Sequence, residues 1–129
     1  MKEPTFLNIE EVLGFHSDQI GRYGGKAGIM DMGLLKSSLA MPEAAFGGEY
    51  LHRDIHEMAA AYLFHIVSNH PFMDGNKRTG LITALTFLEF NGVLTIADNR
   101  NMENMVLKVA KGKMDKPEIA GFLRKHSSQ

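Results

Sequence analysis

The chain has 129 residues, 44% of them apolar, with 14 Lys plus Arg against 15 Asp plus Glu and no Cys. That is one domain's length with enough apolar material to bury a core unaided, which rules out an acidic disordered tail. The balanced charge argues against a nucleic-acid binder, and the lack of Cys excludes disulfides, thiol catalysis and Cys-ligated zinc. Met1-Lys2-Glu3-Pro4 lacks the charged-then-apolar layout of a signal peptide, and the longest apolar run, Met58 to Phe64, is too short to span a bilayer. The expectation is one soluble, cytoplasmic domain over residues 1–129, with neither nucleic acid nor membrane as partner.

In chain order, Asn8 can cap a first helix with Glu11 completing a capping box, and Ile9, Val12, Leu13, His16 and Ile20 share one face until Gly24-Gly25 stops it. Asp31 can cap a second helix carrying Leu34, Leu35, Ser38 and Leu39 and ending near Pro42. The Gly-rich stretch Phe46 to Tyr50 reads as a loop or short hairpin. A third helix, about Asp54 to Asn69, is apolar nearly all round and marks the centre of the core. A fourth runs from Gly75-Asn76 to Asn91-Gly92. Val93 to Ala97 is weakly strand-like. Helices over about Met102 to Ala110 and Pro117 to Arg124 follow, and Lys125 to Gln129 is expected to fray. The fold class is all-α, with the third and fourth helices as the core pair.

The connection between that pair carries more chemistry than a corner needs: His70-Pro71-Phe72-Met73-Asp74-Gly75-Asn76-Lys77-Arg78-Thr79. His70 is a candidate general base, imidazole being the side chain that changes charge near neutral pH. Asp74 is a hard oxygen ligand suited to Mg²⁺ bound together with phosphate. Gly75 permits a left-handed or close-approach backbone, and Asn76 can cap the following helix. The helix start is an anion site. Lys77 and Arg78 at that end are unfavourable with the helix dipole by about 0.3–1 kcal/mol each, which points to a polyanion that offsets them. The set suits phosphoryl or nucleotidyl transfer. The plainer readings are a solvated Lys77-Arg78 pair and Phe72 as a core anchor beneath the loop. Gly75 to Thr79 is not a Walker A loop.

The ten-residue string resembles the core motif of the Fic/Doc family, HPFx(D/E)GNxR, at His70, Pro71, Phe72, Asp74, Gly75, Asn76 and Arg78. Arg22-Tyr23-Gly24-Gly25 with Gly28, Ala59-Ala60, Phe87-Leu88 and Asn91-Gly92 look like its Doc (death-on-curing) branch, so the resemblance covers roughly residues 8 to 125. It implies a compact bundle of about six helices with a short flap, binding ATP and Mg²⁺. It implies His70 as the base toward a target hydroxyl, Asp74 as the Mg²⁺ ligand, and Gly75, Asn76, Lys77, Arg78 and Thr79 as the phosphate-binding set. Residues 46–51 would be the flap that docks the target protein by strand addition.

Adenylylating members read GNGRxxR, whereas here Lys77 replaces the second Gly and Leu81 the last Arg. Lys fills space a phosphate would occupy, and Leu cannot replace a bidentate clamp. The Lys form looks like Doc, in which the nucleotide is thought to bind reversed. The expected activity is therefore phosphate transfer to a Ser/Thr hydroxyl by a toxin of a toxin–antitoxin pair. The alternatives are AMP transfer by the same site and a catalytically silent binding relative. The self-inhibiting pattern (S/T)xxxE(G/N) is not found, which implies inhibition in trans by an antitoxin chain. An elongation factor is the first candidate target by analogy.

Outside the motif, His52 and His56, with Glu49 and His65, have the spacing of a possible metal site, but Ala60 breaks HExxH, and a solvated pair is the preferred reading. Met30, Met32, Met41 and Met58 are either a target groove or core filling, with core filling preferred.

Overall fold

The structure, a computed structural model, describes residues 3–128. The expectations about Met1, Lys2 and Gln129 lie outside these residues. Six α-helices occur among the described residues: α1 (Ile9–Tyr23), α2 (Met32–Ala40), α3 (Ile55–Asn69), α4 (Asn76–Phe90), α5 (Asn99–Ala110) and α6 (Lys116–Lys125). A single 3₁₀ turn, Met41–Glu43, follows α2 where Pro42 falls. Two two-stranded sheets complete the fold, one pairing β1 (Ala45–Phe46) with β2 (Glu49–Tyr50), the other β3 (Leu94–Thr95) with β4 (Ser127–Ser128).

The helix starts follow from their caps. Asn8 Oδ1 accepts from the Glu11 N–H at 2.8 Å while the Asn8 N–H donates to Glu11 Oε1 at 2.9 Å, the reciprocal box the sequence predicts. Asp31, Asp54, Asp98 and Asp115 cap α2, α3, α5 and α6 through a carboxylate that accepts the N–H three residues on, and Asp115 also completes a reciprocal box with Glu118. Asp98 explains why α5 begins three residues before the expected Met102: its carboxylate takes the Asn101 N–H at 2.8 Å.

Helices α2, α4, α5 and α6 pack on α3, and α1 packs on α4. Helix α3 is the central rod, with Met58, Tyr62, Leu63 and Ile66 fully buried, against α4 on one side and α6 and α2 on others. The α3–α4 crossing is close because position 80 has no side chain. A Cβ on Gly80 would lie 2.9 Å from Val67 Cγ2. Phe87 from α4 meets Tyr62 at 5.2 Å and Phe6 at 5.7 Å, and the Phe6 ring meets Tyr50 edge-on. The β1–β2 hairpin is thus rooted beside the last turns of α4. Phe87 lies eleven residues along α4 from Asn76, about 16 Å at 1.5 Å per residue, so the root is at the end of the bundle away from the His70–Arg78 loop. Gly47 and Gly48 take φ of 61° and 83° and make the tight turn that matches strand twist.

The C-terminal expectation is corrected. Residues 125–128 do not fray: α6 runs to Lys125, the Ile96 N–H donates to His126 O at 2.7 Å, and Ser127 pairs with Thr95 and Ser128 with Leu94. The partner is thirty residues distant in sequence, so local composition carried no sign of it.

Candidate functional site

The ten-residue connection forms a braced turn between α3 and α4. His70 closes α3 in the left-handed region (φ 52°), the one non-glycine residue with positive φ among those described. Such a conformation costs about 1 kcal/mol or more and persists only where neighbours enforce it. They do so here. Pro71 O accepts the N–H groups of Met30 (2.8 Å) and Asp31 (3.1 Å), and the Met73 N–H donates to Gly28 O at 3.0 Å. Phe72 between them is fully buried, the core anchor expected. The α1–α2 connection therefore forms a short backbone ladder with the motif.

Asn76 does not cap α4. Its side chain is 4% exposed and turns back into the loop, Oδ1 taking the Phe72 N–H and Nδ2 donating to Phe72 O, both at 3.0 Å. The cap position belongs to Gly75 (φ 77°), with no side-chain hydrogen bond on the end of the helix. The first backbone bond of the helix is Thr79 N–H to Gly75 O. The leading N–H groups of α4 are left for an external acceptor, as an anion site requires.

Asp74 stands exposed at this mouth. Gly75 donates its N–H to Oδ1 at 2.8 Å and Lys26 to Oδ2 at 3.2 Å. These two bonds, in that order, hold the carboxyl below the usual carboxylate range, with smaller contributions from the Arg78 and Lys77 charges. Gly25 matters for the same reason: a Cβ there would lie 2.7 Å from Asp74 Oδ2, and its φ is 113°. Arg78 donates from Nη2 to Gly24 O at 3.1 Å, and its guanidinium lies 5.4 Å from the centre of the Tyr23 ring.

His70, Asp74, Gly75, Asn76, Lys77 and Arg78 line one cleft of about 350 Å³, with Val67 and Ala110 as its apolar wall. Arg78 also borders a cleft of about 310 Å³ with Lys77 and Leu81, and a third of about 640 Å³ toward Tyr23 and Met102. Leu81 lies one turn beyond Lys77 and Arg78 and gives the second cleft an apolar side.

Thr79 is not brought to the cleft. It is fully buried and its hydroxyl has no partner, because the residue after Arg78 on α4 turns toward the core. The members of the expected phosphate-binding set that line the cleft are thus Gly75 to Arg78, the Asn76 side chain being turned back into the loop.

The histidines outside the motif are likewise corrected. They are half-buried rather than solvated, and Lys116 Nζ lies 3.1 Å from His65 Nε2 and 3.5 Å from His52 Nε2. Burial first, then the Lys116 charge, lowers the His65 pKa from 6.5 to about 4 and lowers that of His52. Among the described residues no three His, Asp or Glu side chains are placed to hold a metal ion. Of the methionines weighed, Met58 is core, while Met30 and Met32 are exposed, as is Met73 within the motif. Sequence reasoning placed His16 on the apolar face of α1 and gave it no part in the site. It reaches the motif: Nε2 lies 2.8 Å from Asp74 O, and its ring stacks on Phe72 at 3.8 Å.

In a mostly helical fold, the loop between the two central helices sets an imidazole, an exposed carboxylate and an uncapped helix start with two cations around one cleft. The model of the Fic/DOC family matches residues 6–88, and the chain belongs to that family. It is 34% identical over 119 residues to the Protein kinase doc of Escherichia phage P1, covering 92% of this chain and 93% of that protein. It is 37% identical over 120 residues to the Toxin Doc of Mycolicibacterium smegmatis, covering 92% and 90%. No helix among the described residues is long and apolar enough to cross a membrane.

Proposed function

We propose that this chain is a Doc-type toxin that transfers the γ-phosphate of ATP to a Ser or Thr hydroxyl of a target protein, with Mg²⁺ as cofactor. The observation that carries the reading is the single cleft in which His70, Asp74 and the open start of α4 converge, with Lys77 at its wall and Leu81, not an arginine, one turn on. The phage relative is named a protein kinase, which supports the same reaction class.

His70 takes the proton of the attacking hydroxyl as its oxygen bonds to the γ-phosphorus. The bond from that phosphorus to the bridging oxygen breaks, and ADP leaves. The N–H groups of α4, Lys77 and Arg78 hold the phosphoryl charge in place before and during transfer. Asp74 would hold the Mg²⁺. One ionised carboxylate without a protein cage suits a cation that keeps water and phosphate as its other ligands. When bound, Mg²⁺ neutralises charge on the transferring phosphates.

The hairpin of residues 46–51, with Phe46 83% exposed, lies at the end of the bundle away from His70, so the expected flap does not sit where it would present a target hydroxyl to that imidazole. The toxin name of the mycobacterial relative supports an antitoxin partner that blocks the site in trans, and a translation elongation factor is the first target to try. The test is side-by-side labelling. The protein and a His70→Ala control are incubated with bacterial lysate, Mg²⁺ and ATP labelled at the α or the γ position. A band from γ-label alone, lost in the control, is expected. A band from α-label assigns the site to adenylyl transfer instead, and nucleotide binding without either band makes the chain a binding relative.

A further inference from the structure

We propose that His16 is a positioning residue for the cation-binding carboxylate of Asp74, acting through one peptide plane. The proposal rests on the reading of Asp74 as the Mg²⁺ ligand. His16 Nε2 lies 2.8 Å from the carbonyl oxygen of Asp74, and a carbonyl can only accept, so the imidazole donates. That carbonyl belongs to the same planar unit as the Gly75 N–H. Fixing its oxygen therefore aims the N–H at the opposite edge. That N–H is the donor that holds Asp74 Oδ1 at 2.8 Å.

The imidazole is itself held. It is 5% exposed, and it lies nearly parallel to the fully buried Phe72 ring, 7° between planes. It also fills the space against Gly75, where a Cβ would lie 3.6 Å from its Cδ2 and 3.7 Å from Nε2. Phe72 is clamped in turn by both Asn76 bonds. A donor on the rigid helix α1 thus reaches the loop from below, while the Lys26 N–H holds Oδ2 from the side.

Two variants separate packing from donation. His16→Phe keeps a flat ring against Phe72 and removes the donor. His16→Gln keeps a donor and removes the stack. Mn²⁺ affinity in the presence of a non-hydrolysable ATP analogue is read by water-proton relaxation, and half-saturating Mg²⁺ is read from γ-label transfer. His16→Phe is expected to weaken Mn²⁺ affinity and raise half-saturating Mg²⁺ about three- to tenfold, the worth of one buried hydrogen bond. Its kcat at saturating Mg²⁺ and its KM for ATP stay within about twofold, and His16→Gln recovers most of the metal affinity. Unchanged Mn²⁺ affinity in His16→Phe, or equal loss in both variants, overturns the proposal. If the wild type binds Mn²⁺ but transfers no label, the proposed kinase activity fails while the metal arm still decides the role of His16. If it binds no Mn²⁺, the role of His16 fails with that of Asp74.

Discussion

Replacing Asn76 with Ala gives the sharpest test of how the motif is held. The side chain makes two hydrogen bonds to the backbone of a fully buried residue, one accepting from the Phe72 N–H and one donating to Phe72 O, each 3.0 Å. Truncation leaves both backbone groups buried and unpaired, at about 1–3 kcal/mol each. Alanine regains about 0.5 kcal/mol of helix propensity. The net destabilisation is about 1.5–5.5 kcal/mol. For 129 residues the unfolding entropy is about 270 cal/mol/K, so the melting temperature falls by about 6–20 °C. Calorimetry at neutral pH reads this directly. An alanine variant that melts within about 2 °C of wild type would refute the clamp.

Thr79 and Thr83 bury hydroxyls without partners, so Thr79→Val should raise stability by about 1 kcal/mol in urea titrations, and the same sign is expected for Thr83→Val. Gly25→Ala should abolish γ-label transfer at ordinary Mg²⁺, since its Cβ would collide with Asp74 Oδ2 and its φ is strained for alanine. Transfer at wild-type rates would show that the α1–α2 loop does not hold Asp74. Burial keeps His65 neutral in the fold, so the unfolded chain takes up its proton first as pH falls. Stability from this group is complete above about pH 6.5 and is lost toward pH 4. The full difference corresponds to about 3 kcal/mol, reduced to about 1–2 by solvent access to the half-buried ring. Urea midpoints at pH 7.5 and 5 should differ accordingly in wild type and differ less in His65→Gln, the remainder being carried by the half-buried His52 and His56 rings. A pH-independent midpoint would contradict the burial argument.

Much of this protein is written locally. Asn8 with Glu11, and Asp31, set helix starts through bonds that span three residues, so sequence alone placed them; Asp54 and Asp115 make the same kind of bond, though only the structure identifies them as caps. The apolar girth of α3 marked it as the central rod, and the His70–Arg78 string marked the site, because functional groups crowded into one connection are visible without coordinates. What spans distance was not legible. The β3–β4 ladder depends on residues more than thirty apart, and the bond from His16 to Asp74 O joins positions fifty-eight apart. Asn76 has the composition of a cap, yet the buried Phe72 backbone required its amide more than the helix end did. Thr79 has the chemistry of a phosphate contact, yet the 3.6-residue turn of α4 carried it into the core. The sequence by itself determined which groups the site contains. Tertiary packing decided which of them face the cleft, because only there do backbone groups from α1, the Gly-rich loop and the motif compete for the same side chains.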